Sequence, residues 1–463
     1  MLIFFIVFYL LITLAIGFWA SRKIKSSGDF TLAGKSLSTS FVGVTLFATW
    51  FGSSQVLANP GHFVEDGFIS FLTLTITGVF TLLVVGYFYA RKLYRMDLVT
   101  VGDFFRKRYG PKMDLAVSII MVLSYPSWIA AQLVALGYLF QAVMGLPVDI
   151  GIVLGASIVI LYTYVGGMWA VSYTDMLQSI LILLGLVILY FAVMSETDGL
   201  VDLFSHQPRS FFRLIPSGGI EEWNDYITLL LAFTAGCIPV QEIYQRVFSA
   251  RDELAARNGL YLGAFLLLVV PSIPLVIALA GAHLHPELIG GDHGQGLILS
   301  LVGMFTSLPV QILFYGAMIS AILSTSSGAM LAPATVVGEN LIKPYFPNLP
   351  DKRLLLFTRL SVILVAAVSC FFAFNDSDIV ALVAASLSLV LVSVFVPFTA
   401  GLFWKRTSHF GAWLSMGSGA AVWLTCYVMD TQIDATIYGL AASTVTLPIG
   451  SWVRPDRNEN LTP

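Results

Sequence analysis

The stretch Gly166-Gly167-Met168-Trp169-Ala170-Val171-Ser172-Tyr173-Thr174-Asp175-Met176-Leu177-Gln178 joins two apolar runs, 152–165 and 169–194. It places a carboxylate, Asp175, about two helical turns inside the second run. An ionisable side chain at that depth in a membrane is costly unless it faces a watery cavity or binds a cation. The stretch therefore predicts an ion pathway that includes Asp175. The alternative is a structural Asp175 that caps or hydrogen-bonds neighbouring helices.

The composition predicts an integral membrane protein. Of the 463 residues, 57% are hydrophobic and 11% are charged, whereas soluble domains carry about 25% charged residues. The net charge of −3 argues against a nucleic-acid partner. The three cysteines lie inside apolar runs without metal or redox spacing, which favours a packing role. No loop is long enough for a soluble enzyme domain, and the spans contain no nucleophile–base pair, so we do not expect an enzyme.

The apolar runs predict an all-α protein, because each is close to the roughly 20 residues that cross a bilayer as a helix. There are about 13 such runs, and together they form one transmembrane transporter domain over residues 1–463. The predicted spans are 2–20, 39–64, 68–90, 114–144, 149–165, 169–194, 225–249, 258–283, 307–336, 354–374, 378–403, 410–429 and 432–452.

The positions of lysine and arginine predict the orientation, since cytoplasmic loops collect basic residues. With the N-terminus outside, all 24 basic residues except Arg209 and Arg213 lie on the inner face. The prediction is a multi-pass protein of the plasma (inner) membrane with a cytoplasmic C-terminus. Its partners are the lipid bilayer and a small solute.

Two of the predicted spans contain helix-breaking residues in matching places. The span 39–64 includes Gly52 and a run of small polar residues, and the span 225–249 includes Gly236 and Pro239. Unwound backbone at membrane depth persists only where it lines a cavity or a bound ion. Interrupted helices five spans apart favour a transporter with a 5+5 inverted-repeat core, 39–194 and 225–403. The spans 2–20, 410–429 and 432–452 are then peripheral, and the alternative is two kinks in an unrelated bundle.

The span 307–336 offers oxygen ligands for a hard cation. Ala321, Ser324 and Thr325 are spaced i, i+3, i+4 and therefore share one helical face. Their carbonyl and hydroxyl oxygens suit such a cation, especially if carbonyls of the unwound segment, such as those of Ala48 and Phe51, complete the shell. The alternative is that small and hydroxyl residues simply allow close packing of helices.

These residues resemble the sodium:solute symporter family, and the resemblance runs from about Val7 to Thr407. It includes the segment Asp29-Phe30-Thr31-Leu32-Ala33-Gly34-Lys35, the 166–178 stretch, and Gln241-x-x-x-Gln245-Arg246. The resemblance implies a LeuT-like fold, Na+ as the coupling ion and a small organic solute. The solute classes carried by members include amino acids, quaternary ammonium compounds, sugars and organic acids.

By this resemblance, the sodium ligands are the carbonyls of Ala48, Phe51 and Ala321 and the hydroxyls of Ser324 and Thr325. Asp175 lies below them on the inward release path. Some members bind a second sodium with a carboxylate like Asp175 and further serines on the same helix as Ser324. Here Ser327 is present but Gly328 follows it, so we expect one sodium per solute and no other metal.

The choline transporter branch of the family is similar in several stretches, among them Ala48-Thr49-Trp50. Trp50 and Trp128 lie where that branch keeps tryptophans that attract a quaternary ammonium ion, but Val240 replaces a third and no aromatic residue is found near Gly78. Gln55 and Gln241 instead offer amide groups to a polar or zwitterionic solute. Glu242 and Arg246, spaced i, i+4, are interpreted as a helix-local ion pair.

The predicted function is secondary active symport by alternating access, in which inward sodium movement drives solute uptake. A proton-coupled carrier of the same fold, with Asp175 as the proton acceptor, is the alternative within this class. A transporter-like sensor module is a different alternative. We expect no such module, because the chain shows no kinase or receiver segment before Pro463.

Overall fold

The computed structural model describes most of the chain as a bundle of α-helices. The described residues are 4, 8, 11–12, 15–16, 18–20, 22, 24, 26–288, 296–429 and 431–456. Within them there is no β-strand, and one isolated parallel bridge joins Leu37 to Ala250. The expected all-α class is confirmed for this part of the chain.

Fourteen helical segments organise the described part, and shorter turns of helix connect them. In chain order they are α1 (Thr39–Trp50), α2 (Ser54–Asp66), α3 (Phe68–Arg95), α4 (Val101–Tyr109), α5 (Pro111–Met144), α6 (Val148–Met194), α7 (Ile220–Leu231), α8 (Gln241–Ser249), α9 (Glu253–Leu284), α10 (Leu308–Ile342), α11 (Asp351–Asn375), α12 (Ile379–Phe403), α13 (His409–Val428) and α14 (Ala435–Val453).

Eight helices of the described part are long and apolar enough to cross a membrane. The bent pair α1–α2 raises this number to nine if it forms one span. These nine correspond to nine of the thirteen predicted spans. Of the other four, 149–165 is a shorter apolar helix, Val148–Leu161, and 410–429 and 432–452 correspond to α13 and α14. The span 2–20 lies largely outside the described residues, as do Lys23, Lys25 and Arg457, and the count of thirteen stays a prediction.

The predicted break in the first core span is confirmed. Helix α1 ends at Trp50, and α2, which opens as a π-helical turn, leaves it at an angle of 60°. Glycine is required at position 52 by close packing rather than by flexibility. A Cβ atom there would lie 2.6 Å from Oε1 of Gln132 and 2.9 Å from Cγ2 of Thr325.

The predicted interruption between Gly236 and Pro239 is also present. Helix α7 passes into a π-helical turn at Ala232–Gly236, and residues 237–240 form a turn with extended backbone at Val240 before α8 begins. Thr81 of α3 donates to the carbonyls of Phe233 and Thr234 at 3.2 and 3.1 Å. This contact satisfies carbonyls in the irregular turn, as membrane depth requires. The inverted-repeat relation between the two broken spans stays a prediction.

Helix α6 contains the 166–178 stretch and changes direction at Gly167. This residue has φ +51° and ψ −158°, in a region that residues with a side chain rarely adopt. A Cβ atom on Gly167 would lie 2.5 Å from the ring and 2.7 Å from the carbonyl oxygen of Phe30. The two sequence segments that carry the family resemblance, 29–35 and 166–178, therefore pack directly against each other.

The core of the bundle is formed where α5, α6 and α10 pack together and α1 packs on α9. Helices α13 and α14 form a hairpin that packs against the C-terminal half of α12. Buried polar residues are concentrated on α1, α6, α8 and α10. Polar groups in such a position need partners inside the protein, and the partners define the site.

Candidate functional site

The end of α1 meets the middle of α10 at the break in the first core span. The Thr325 hydroxyl donates a 2.8 Å hydrogen bond to the carbonyl oxygen of Ala48. Phe51 lies at the break itself, and Ala321 lies one turn before Thr325 on the same face of α10. The structure therefore brings Thr325 into contact with Ala48, and the other three residues predicted to hold sodium lie within about one helical turn of this contact along α1 and α10.

Asp175 of α6 lies at this junction as well. The Ser324 hydroxyl donates a hydrogen bond to Oδ1 of Asp175. The other carboxylate oxygen, Oδ2, is buried and has no hydrogen-bond partner among the described residues. A buried carboxylate oxygen is costly without a partner, and an oxygen-rich group of this kind suits a hard cation.

Ser327 and Gly328 lie on the next turn of α10. The Ser327 hydroxyl donates to the carbonyl oxygen of Ser324 at 3.1 Å. The space beside Gly328 is taken by the Arg246 guanidinium, whose Nη2 lies 2.6 Å from where a Cβ atom would be. A buried positive charge therefore lies where further serine ligands for a second sodium would be needed.

Gln132 of α5 completes the junction, and the sequence analysis did not identify it. Its Oε1 accepts a hydrogen bond from the Ser53 backbone N–H at 3.0 Å, and its Nε2 donates to the Ser53 hydroxyl at 2.8 Å. One side chain thus satisfies both polar groups that the break exposes. An amide inside the apolar run 114–144 was the available signal, but its partner could not be known from the sequence.

A cavity adjoins the junction. Trp50, Trp128 and Gln55 line it, as the solute prediction requires. Gly78 lies against Trp50, because a Cβ atom there would be 3.1 Å from the indole ring. The further lining residues are Thr49, Gly52, Ser53, Ser54, Leu74, Gln132, Phe233, Cys237, Glu242, Val383 and Leu387.

The amide groups predicted to contact solute are both engaged by the protein. Gln55 donates to the Leu74 carbonyl at 2.9 Å and accepts from the Thr75 hydroxyl. Gln241 is fully buried and is not among the lining residues. Its Oε1 accepts from the Val101 N–H at 2.8 Å. The structure therefore places Gln55 in the cavity wall and Gln241 at the contact between α8 and the start of α4.

The predicted ion pair between Glu242 and Arg246 is present as an attraction between the two charges, but no direct contact joins their charged groups among the described residues. Nη1 of Arg246 donates to the backbone carbonyl of Glu242 at 3.2 Å. The Glu242 carboxylate instead accepts a hydrogen bond from the Tyr125 hydroxyl of α5. Both ionisable side chains are buried, and the carboxylate lies in the cavity wall because α8 begins at Gln241, directly after the interruption.

A larger vestibule of about 1200 Å³ meets the cavity at Leu74, which lines both. It is formed by the end of α2, the start of α3 and the segment 207–226. Its charged side chains are mostly acidic and comprise Glu65, Asp66, Glu222 and Asp225 together with Arg213. On the opposite side of the cavity, hydrogen bonds close the bundle, among them those from Gln245 to the Thr31 carbonyl and from the Thr100 hydroxyl to Asn340.

Interrupted apolar helices, a buried oxygen-rich junction and an adjoining cavity define a membrane transporter for small solutes. The chain belongs to the sodium:solute symporter family, whose model matches residues 30–419. It is 27% identical to the High affinity choline transporter 1 of Homo sapiens, over 92% of this chain and 76% of that protein. It is 25% identical to the Osmoregulated proline transporter OpuE of Bacillus subtilis, over 90% of this chain and 87% of that one.

A solved structure shares the fold of this protein. It is the substrate-bound, outward-open state of a Na+-coupled sialic acid symporter, with a TM-score of 0.82, 18% identity and 99% of both chains covered. The family predicted from the sequence is confirmed. The family and the relatives it matches are transporters and not enzymes, as expected.

Proposed function

We propose that the protein is a secondary active symporter that couples inward sodium movement to uptake of a small polar organic solute. The observation that carries this proposal is the contact of the Thr325 hydroxyl with the Ala48 carbonyl at a helix break. A sodium ion at this junction would be held by the carbonyls of Ala48, Phe51 and Ala321 and the hydroxyls of Ser324 and Thr325. One sodium moves with each solute, because Arg246 already fills the space beside Gly328.

Sodium binding is coupled to solute binding because the two sites share a wall. The break that offers the ion its carbonyls also places Trp50 and Ser53 in the cavity. An ion that holds the break in place therefore shapes the solute pocket before solute arrives. Asp175, which is hydrogen-bonded to Ser324, takes the ion on its way inward past Ser327.

The driving force is sufficient for concentrative uptake. One charge that moves through ~150 mV supplies about 3.5 kcal/mol, and a tenfold sodium gradient adds about 1.4 kcal/mol. Together these energies support roughly thousandfold accumulation of a neutral solute. We propose that the protein lies in the plasma (inner) membrane with its N-terminus outside, as a single transporter domain with core repeats at 39–194 and 225–403.

Proton coupling through Asp175 is the second candidate. It is favoured by the buried Oδ2 atom without a partner among the described residues, because such an oxygen can take a proton instead of contacting an ion.

Uptake into proteoliposomes separates the two candidates. Purified protein is reconstituted and offered radiolabelled choline, L-proline, D-glucose and sialic acid, with an inward gradient of sodium or of protons. We expect at least one solute to accumulate under the sodium gradient alone. Accumulation that does not depend on sodium and is lost when the proton gradient is removed would establish proton coupling through Asp175 instead.

A further inference from the structure

We propose that the Glu242 carboxylate binds the solute directly, and that the solute is an organic ammonium ion with at least one N–H. This inference rests on the proposed transport function and adds the chemical class of the solute. Glu242 is the one charged side chain among the described residues that line the cavity. It is also a buried carboxylate, and a charged group in such a position is retained where it has a partner to bind.

The neighbours of Glu242 leave its carboxylate available to a ligand. The Tyr125 hydroxyl donates one hydrogen bond to Oε2, whereas an ionised carboxylate has about four acceptor positions. Arg246 attracts this carboxylate, but no direct contact joins the two charged groups among the described residues, and its guanidinium donates to the backbone carbonyl of Glu242. Glu242 lines the cavity, so its carboxylate is within reach of a ligand there.

The amides and the basic side chains do not satisfy Glu242 from within the cavity wall. The amide of Gln132 is engaged by Ser53, and the amide of Gln55 donates to the Leu74 carbonyl. The lining residues include no lysine, arginine or histidine. A cationic solute can supply the donors, and N–H groups of a cation form the strongest hydrogen bonds to a carboxylate.

The rest of the wall suits the carbon part of an amine. Trp50, Trp128 and Phe233 present aromatic surface, and ring faces also attract cations. The Trp128 ring lies 6.0 Å from the Tyr125 ring, centroid to centroid, so the aromatic and acidic parts of the wall are adjacent. A quaternary ammonium ion would use the rings but would leave the acceptors of Glu242 unfilled, because it has no N–H.

The vestibule that leads to the cavity also favours cations. The vestibule carries four carboxylates, Glu65, Asp66, Glu222 and Asp225, against one arginine, Arg213. An excess of negative charge along a cleft raises the local concentration of cations. An anionic solute would meet this repulsion first and then the carboxylate of Glu242, with no positive side chain in the cavity wall to receive it.

Binding of matched compounds tests the inference. Each set contains a primary amine, its N,N,N-trimethyl counterpart and its neutral alcohol counterpart: 2-aminoethanol, choline and ethylene glycol form one set, and the 2-phenylethyl compounds form a second. Affinities are measured by calorimetry on the purified full chain, in sodium chloride and in potassium chloride. We expect the amine to bind at least tenfold more tightly than both counterparts in at least one set.

The Glu242→Gln variant tests the assigned residue. It keeps the shape of the side chain and removes its charge, and we expect the affinity for the amine to fall at least tenfold. Glu196→Gln, which removes the charge of an exposed carboxylate outside the cavity and the vestibule, is the matched control and should change that affinity less than threefold. An unchanged affinity in Glu242→Gln overturns the assignment. If this variant does not yield monodisperse protein, the matched sets on the wild-type chain decide.

A separate readout keeps this inference distinct from the sodium proposal. Sodium-induced change in tryptophan fluorescence is recorded on the wild-type protein and on Glu242→Gln without any solute. Absence of tenfold amine selectivity from both sets on the wild-type protein, with an intact sodium response, overturns the ammonium inference alone. Amine selectivity on the wild-type protein without any sodium response overturns sodium coupling alone. No amine binding in either set also overturns the ammonium inference.

Discussion

The Thr325 hydroxyl donates a 2.8 Å hydrogen bond to the Ala48 carbonyl, across 277 residues of sequence. The carbonyl belongs to the last turn of α1, where the helix ends and its carbonyl oxygens lose their intrahelical partners. The hydroxyl belongs to the turn of α10 that also holds Ser324 against Asp175. Three helices thus contribute oxygen atoms to one buried point, and sodium binding there would replace hydrogen bonds by ion contacts.

Removal of either hydroxyl should weaken sodium activation. In Ser324→Ala and Thr325→Ala, we expect the sodium concentration for half-maximal uptake to rise at least tenfold. The loss of one interaction with a charged partner is worth about 1.5–3 kcal/mol. Uptake at varied sodium concentration measures the effect. Ser326→Ala is the control, because the Ser326 hydroxyl bonds the Ile322 carbonyl within α10. Unchanged sodium activation in both test variants would refute the ion site.

An alanine at position 52 should disturb the junction without removing any of its oxygen atoms. The added Cβ would meet Gln132 Oε1 at 2.6 Å and Thr325 Cγ2 at 2.9 Å, so one of them must move. We expect Gly52→Ala to lose the sodium-induced fluorescence change and to lower the melting temperature. Gly417→Ala is the control, since a Cβ there meets nothing within 4 Å. A normal sodium response in Gly52→Ala would show that ion binding does not depend on the packing at the break between α1 and α2.

The kink at Gly167 should be intolerant of a side chain. Gly167→Ala combines a backbone cost, from φ +51°, with a contact of 2.5 Å to the Phe30 ring. We expect a loss of stability that exceeds the about 1–3 kcal/mol of backbone strain alone, seen as a lower melting temperature in detergent. Gly145→Ala isolates the backbone term, because φ is +67° there and a Cβ meets nothing within 4 Å. Equal effects of the two variants would remove packing on Phe30 from the explanation.

Substitution of Trp50 should weaken solute binding more than it weakens the sodium response. It lines the cavity with its side chain, whereas its neighbour Ala48 contacts Thr325 through a backbone carbonyl. In Trp50→Ala we expect solute affinity to fall at least tenfold and the sodium response to change by less than threefold. Trp452→Ala, at an exposed tryptophan of α14, is the control. A larger change in ion affinity than in solute affinity would remove Trp50 from the pocket.

Gln241 should stabilise closure of the side opposite the vestibule. Its amide accepts from the Val101 N–H at 2.8 Å and donates to the Val99 carbonyl at 3.4 Å. We expect Gln241→Ala to increase hydrogen exchange of the peptide that contains residues 99–101, with solute affinity in sodium changed less than threefold. Loss of solute affinity without faster exchange would instead support the solute role predicted from the sequence.

Sequence patterns were sufficient to predict those parts of the fold that depend on local chemistry. Glycine and proline in the runs 39–64 and 225–249 indicated the two interruptions because helix stability responds directly to these residues. The shared helical face of Ala321, Ser324 and Thr325 on α10 followed from their i, i+3, i+4 spacing. The depth of Asp175 in an apolar run was enough to mark it as a candidate functional residue.

The pairing of polar side chains across helices could not be predicted in the same way. Gln132 was overlooked, and Gln241 was assigned to solute although it bonds Val101. Glu242 was paired with Arg246, four residues away, whereas its carboxylate meets Tyr125 of another helix. A polar residue in an apolar run must find a partner, but the register and rotation of each helix decide which partner lies within reach.

The sequence by itself determined an all-helical membrane protein of a known transporter family, because composition, apolar run length and helix-breaking residues act locally along the chain. The tertiary structure alone decided that Thr325 meets Ala48, that Arg246 fills the space beside Gly328, and that Glu242 lines the cavity. Each of these contacts depends on distances of a few ångströms between helices far apart in sequence. Such distances are set by the packing of all the side chains between them.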